Sequence, residues 1–122
     1  MSNYIPIILT ICATVIGQLL TKQGMFIAGG VPENKAEIVV FLFRNMFFNP
    51  FILTGLIFAV LAAMSWMVAL SKTSLSYAYP FTSIAFPLVL LFSSIFFHES
   101  VSMLRWLGIG IILFGLVIVA RS

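Results

Sequence analysis

The chain has 122 residues, 62% hydrophobic and 7% charged, with six Lys and Arg set against three acidic residues for a net charge of +3. Globular domains average about 45–50% apolar and about 25% charged residues, so a soluble fold is excluded: so few charged side chains cannot coat the molecule, and most of its surface must face lipid. At about 20 residues per helical span the length holds four spans in a single domain and no aqueous domain besides, while so small a charge excess is no nucleic-acid footprint.

The first apolar run covers residues 5–21. Met1 to Pro6 contains no Lys or Arg, so the basic start of a cleavable signal peptide is missing and the run is expected to stay as a span. Cys12 lies inside it, and a lone cysteine makes neither an intrachain disulfide nor a metal site. The connection that follows, residues 22–50, changes character within itself. Gly29, Gly30 and Pro32 mark a turn, Glu33 and Glu37 suit a helix start, and an apolar-rich stretch then runs from 38 to 48. Eleven residues are too few to cross a bilayer. The stretch is expected to form an interfacial helix within an insertion at about 29–48, the alternative being an N-terminal extension of the second span.

Three more spans are expected at 51–70, 77–97 and 104–120. The short connections 71–76 and 98–103 force neighbouring helices to run antiparallel. A β-barrel would need eight or more alternating segments, whereas these runs are continuously apolar. The expected fold is an all-α membrane protein of four transmembrane helices, with residues 1–122 forming one domain. Lys22, Lys35, Arg44 and Arg105 fall on one side of this arrangement and Lys72 and Arg121 on the other. With Lys22 and Arg105 set aside for ligand binding, the tally favours neither orientation.

Polar residues inside spans are costly and are the first place to look for function. Thr10, Thr14, Gln18 and Lys22 recur every four residues, with Thr21 beside them, and form one polar stripe on the first helix. The threonines also suit plain helix-to-helix hydrogen bonding, and Lys22 could simply snorkel. A cation one turn beyond an amide at the end of a span nevertheless suits an anionic headgroup. No Asp or Glu falls within any of the four spans, so the carboxylate that proton-coupled cation export uses is missing.

In the third span Pro80 and Pro87 lie seven residues apart on about the same face, with Tyr79 and Ser83 nearby. Both prolines remove backbone hydrogen bonds, which kinks the helix and frees carbonyls to line a cavity or a flexing point. Trp66 and Ser65 suit packing, and Gly108 and Gly115, one heptad apart, permit close helix approach or dimerisation. His98-Glu99 sits in a short turn with no nucleophile nearby, so enzyme chemistry is not expected. Glu99 is expected to cap the fourth helix or pair near Arg105.

The string from Ile16 to Gln23, together with Ala78-Tyr79-Pro80 followed by Ser83, resembles small drug/metabolite transporters of the EamA-like and small multidrug resistance-like kind. Within these the chain most resembles the subunits of the 4-amino-4-deoxy-L-arabinose phosphoundecaprenol flippase. It is similar to them at Gly17-Gln18, Lys22-Gln23, Ala78-Tyr79-Pro80, His98-Glu99, Val101-Ser102, Trp106, Gly108 and Gly115. Nearly the whole chain is covered except roughly 29–48. The multidrug exporters carry an essential glutamate where this chain has Thr14, and their helix-three tryptophan is replaced at about Thr82. Both departures speak against a cation exporter.

The resemblance implies translocation of an undecaprenyl-phosphate-linked monosaccharide, an aminosugar such as aminoarabinose, across the bacterial inner membrane. It implies no cofactor, and it implies a homodimer, or a heterodimer with a related small subunit, with contacts at Gly108 and Gly115. Lys22, with Arg44 or Arg105, would pair with the polyprenyl phosphate of the glycolipid, while Gln18, Tyr79 and Ser83 would bond the sugar and Thr14 stand beside them. Arg44 would be a ligand contributed by the insertion. The prenyl tail would stay among the membrane lipids while Pro80 and Pro87 let the third helix flex. Two other readings remain: a small multidrug-resistance-like cation exporter, and a non-transporting accessory subunit of an envelope glycolipid enzyme.

Overall fold

The computed structural model describes residues 4–122, so the first residues of the Met1–Pro6 stretch lie outside the described residues. Six helices follow one another: α1 (Tyr4–Ala28), α2 (Lys35–Phe48), α3 (Pro50–Lys72), α4 (Leu75–Phe81), α5 (Ala85–Phe96) and α6 (Met103–Arg121), with one 3-10 turn (Thr82–Ile84) between α4 and α5. There is no strand among the described residues. Among the described residues four segments are long and apolar enough to cross a membrane: α1, α3, the α4–α5 unit and α6. The chain is a multi-pass, all-α membrane protein.

The first span is longer than the apolar run that marks it. Lys22 and Gln23 do not stop the helix, which continues to Ala28 and ends where Gly29 takes a φ of 88° and donates its N–H to Met25 O at 3.2 Å. Residues 35–48 of the first connection form a discrete helix. Asn34 caps it by accepting from Ala36 N at 3.0 Å, and Glu37 lies in its first turn. Only Asn49 separates α2 from α3, and it serves both. Its N–H donates to Asn45 O at 3.2 Å, its side-chain oxygen accepts from Phe51 N at 3.1 Å, and its Nδ2 donates to Gly24 O at 3.0 Å. Pro50, with no N–H to satisfy, begins α3 directly.

The third span is not one continuous helix. Pro80 ends α4 almost at once, Pro87 falls in the first turn of α5, and the backbone between them tightens into the 3-10 turn. Without an N–H, Pro87 cannot satisfy the carbonyl of Ser83, so the regular ladder fails where the sequence placed the two prolines.

The most extensive helix contact is between α1 and α3. Their backbones meet at glycines: a Cβ on Gly17 would lie 3.1 Å from Gly55 O, and one on Gly24 would run into Ile52. The core is built from Ile7, Ile11 and Val15 of α1 with Ala69, Ala78 and Ala85, and Leu19, Trp66, Phe81, Leu88, Val89 and Phe92 pack against it. The alanines let helices close on the bulkier α1 face. By contrast α6 buries only Leu116, and most of its apolar side chains lie on the outside, where the bilayer would cover them.

Candidate functional site

The antiparallel spans gather charge at two ends. Lys22, Lys35, Arg44, Arg105, Glu33, Glu37 and Glu99 lie at the end where α1 finishes and α3 and α6 begin, while Lys72 and Arg121 close α3 and α6 at the other. At that second end Tyr4 and Tyr77 share a 2.9 Å hydrogen bond between their hydroxyls, and Tyr77 also lies 3.3 Å from Ala120 O, tying α1, α4 and α6 together.

Between the two ends a cavity of about 380 Å³ opens among α1, α5 and α6. Thr14 and Gln18 supply its polar wall, and Ala85, Phe86, Val89, Leu90 and Ile109 the apolar one. The i, i+4 spacing on α1 brings these two polar residues to the same face, and Lys22 continues that face one turn further on. Thr10, at the start of the stripe, is buried and donates to Pro6 O at 2.8 Å, which is helix bonding rather than ligand contact. Thr21 likewise donates to Gly17 O at 2.8 Å.

Lys22 lies one turn beyond Gln18, outside the cavity's lining, with Nζ 3.5 Å from Glu99 Oε1 and both side chains about half exposed. Glu99 was expected to cap α6 or pair near Arg105; the structure gives it to Lys22 instead. The reason is that α5 packs chiefly on α1 and only lightly on α6, so the turn after α5 hangs over the end of α1. His98, with a φ of 55°, makes the bend that precedes Glu99. The N-cap of α6 is Ser102, whose Oγ accepts from Arg105 N at 3.2 Å.

The other expected binding residues are not gathered with Thr14 and Gln18. Arg44 is exposed on α2 and borders two clefts, one of about 390 Å³ with Pro32, Glu37 and Phe41, the other of about 370 Å³ with Ile27, Asn49 and Phe51. Tyr79 lies on the outer side of α4, its ring set edge-on to Trp66 at 6.1 Å between centroids. The Ser83 hydroxyl donates to Pro80 O at 2.6 Å, and Thr82 donates to Tyr79 O at 2.6 Å, so both spend their protons on the break between α4 and α5. Arg105 is exposed at the start of α6.

Gly108 and Gly115 meet no neighbour: a Cβ at either would find nothing within 4 Å. Inside the chain the helix-packing glycines are Gly17, Gly24 and Gly55, which sequence reading did not single out for packing although the first two are also a heptad apart. The Ile109 and Val89 side of the cavity was missed as well, since an apolar wall carries no signal against an apolar background. Among the described residues no group of His, Cys, Asp and Glu could hold a metal ion.

No family model and no solved structure matches the chain. Curated relatives do. A protein of Hamiltonella defensa, named as a probable 4-amino-4-deoxy-L-arabinose-phosphoundecaprenol flippase subunit ArnE, is 32% identical over 123 residues that cover 100% of this chain and 99% of that one. A protein of Aeromonas salmonicida with the same name is 31% identical over 109 residues, 89% of each chain. A Yersinia pestis protein, also so named, is 28% identical over 120 residues, 98% of this chain and 97% of its own.

Proposed function

The chain belongs to the family of the 4-amino-4-deoxy-L-arabinose-phosphoundecaprenol flippase subunits ArnE, and on that premise we propose that it carries an undecaprenyl-phosphate-linked aminosugar across the bacterial inner membrane. The observation that carries the reading is the cavity beside α1, with Thr14 and Gln18 on its wall and Lys22 one helical turn further along α1.

In this reading the lipid phosphate pairs with Lys22, an ammonium on a flexible stem at the membrane interface. Arg105, at the same end of the bundle, adds a second cation, and Arg44 of α2 a third for a headgroup approaching over that helix. Gln18 and Thr14 bond the sugar along the exposed groove wall, and the prenyl tail stays in lipid against the apolar faces of α5 and α6. Tyr79 and Ser83 serve a later stage, when the break at Pro80 and Pro87 flexes and Ser83 gives up Pro80 O. No step needs bond chemistry on the substrate, and the role is transport rather than catalysis. The free glycine face of α6, at Gly108 and Gly115, supports assembly with a second small subunit, either another copy or a related chain.

Native mass spectrometry of the purified protein tests the reading, with undecaprenyl-phosphate aminoarabinose, a lipophilic cation and phosphatidylglycerol offered together to wild type and Lys22→Ala. Selective retention of the glycolipid by wild type, lost in the variant, is the expected result. Retention of the glycolipid no better than of phosphatidylglycerol would overturn it.

A further inference from the structure

The Lys22–Glu99 contact is the one ion pair among the described residues, and Lys22 lies one helical turn beyond Gln18, the last residue of α1 on the wall of the proposed site. As a fastening it is poor. Its partners are 55% and 43% exposed at a separation of 3.5 Å, and such pairs contribute little to stability and open readily. Glu99 is the carboxylate paired with a cation of α1, while Glu37 lines the α2 cleft beside Arg44. A carboxylate beside the cation that is to bind a phosphate would be a handicap for a purely anionic ligand, because it competes for Lys22 and repels the phosphate. It becomes an advantage for a ligand that carries a positive charge of its own.

We propose that Glu99 is a specificity residue that binds the ammonium of the substrate's sugar while Lys22 binds its phosphate, the two side chains exchanging their mutual ion pair for the opposite charges of a zwitterionic headgroup. This rests on the flippase reading above. An aminosugar phosphodiester is such a zwitterion, with a protonated amine and an ionised phosphate separated by one sugar ring. Lys22 and Glu99 both stand on long, half-exposed side chains that can part to admit that ring between them. The exchange conserves charge: a neutral pair and a neutral headgroup become two charge-assisted contacts, so no net charge is carried toward the apolar wall of Val89 and Ile109. A headgroup lacking the amine would leave Glu99 facing the phosphate unpaired.

The test compares two lipids that differ only at that amine, undecaprenyl-phosphate aminoarabinose and its N-formyl derivative, with phosphatidylglycerol as background. They are titrated into wild type, Glu99→Gln and Glu99→Asp and followed by native mass spectrometry. Wild type is expected to prefer the free amine by about tenfold or more, the scale of one charged hydrogen bond. Glu99→Gln should erase the preference, and Glu99→Asp should restore part of it. A latch that merely held the turn to α1 would weaken both lipids equally and leave their ratio unchanged, so a preference that survives in Glu99→Gln refutes the assignment. Wild type that binds both glycolipids well without preference refutes it too, while leaving the flippase reading standing. Wild type that retains neither over phosphatidylglycerol brings down both.

Discussion

Replacing Gly55 with alanine tests the packing that holds α1 to α3. The added Cβ would lie 2.6 Å from Thr21 Oγ1, 3.0 Å from Gly17 O and 3.3 Å from Thr21 N. Thr21 cannot simply rotate away, because its hydroxyl donates to Gly17 O at 2.8 Å, and the other two obstacles are backbone. The helices must therefore separate along their closest line of contact. Overpacking of this kind costs about 1–3 kcal/mol, and alanine's better helix propensity returns up to about 1 kcal/mol. The expected net loss is about 1–2 kcal/mol, a factor of about 5–30 in the ratio of folded to unfolded chain. Reversible unfolding in mixed micelles, at a dilution where the chain is monomeric, measures it. Gly115→Ala is the matched control: nothing lies within 4 Å of its new methyl, so it should be neutral or slightly stabilising. Adding Thr21→Ala to Gly55→Ala should recover part of the loss by removing the Oγ1 contact while the one with Gly17 O remains. Gly55→Ala as stable as wild type, or Gly115→Ala as unstable as Gly55→Ala, would refute the close crossing.

Two other residues give separable outcomes. Asn49→Ala removes the N-cap of α3 and the bond from Nδ2 to Gly24 O together, so a loss of about 1–2 kcal/mol is expected, seen as faster amide exchange at the junction of α2 and α3. Unchanged exchange there would mean that Pro50 alone sets the junction. Val89→Trp fills the cavity beside Gln18 from its apolar side, and glycolipid retention should fall by about tenfold or more with helix content intact. Full retention would place the headgroup elsewhere.

The four spans, the short antiparallel connections and a separate helix in the long first connection are legible in the sequence because each leaves a compositional mark: an apolar run, a polar gap, an Asn or Pro at a start. The polar stripe on α1 is legible for the same reason, and two of its residues, Thr14 and Gln18, line one cavity. What the sequence hides is which apolar surface meets which. Gly17, Gly24, Gly55, Gly108 and Gly115 look alike as residues, yet the first three are pressed into a neighbouring helix and the last two face open space. Glu99 lies six residues from Arg105 along the chain, and proximity in sequence pointed there. Its partner is set instead by α5 lying on α1, a tertiary fact without a local signal. The prolines announce a kink, but only the structure shows that the hydroxyls of Thr82 and Ser83 are consumed in stabilising the broken turn.

The two ends of the bundle are fastened unequally, and that bears on how a headgroup would pass. At the Arg121 end the hydroxyls of Tyr4 and Tyr77 bond to each other and Tyr77 reaches Ala120 O, with the rings of Tyr4 and Tyr77 packed on Phe81 at 5.8 and 5.1 Å. At the Lys22 end, α1 is joined to the turn between α5 and α6 by an exposed ion pair, the kind of contact that water and salt weaken most. A charged headgroup arriving at that end competes for the very groups that close it. Leaving by the other end requires parting neutral hydroxyls and aromatic rings, which no charge on the ligand displaces directly. Movement of α4 and α6 apart there must instead be driven through the backbone, and the break at Thr82–Ile84 lies between the cavity wall at Ala85 and Phe86 and the fastened tyrosine at Tyr77. In the proposed transport the break between Pro80 and Pro87, where the regular helical ladder is interrupted, would be the element that converts occupancy of the cavity into release of that end.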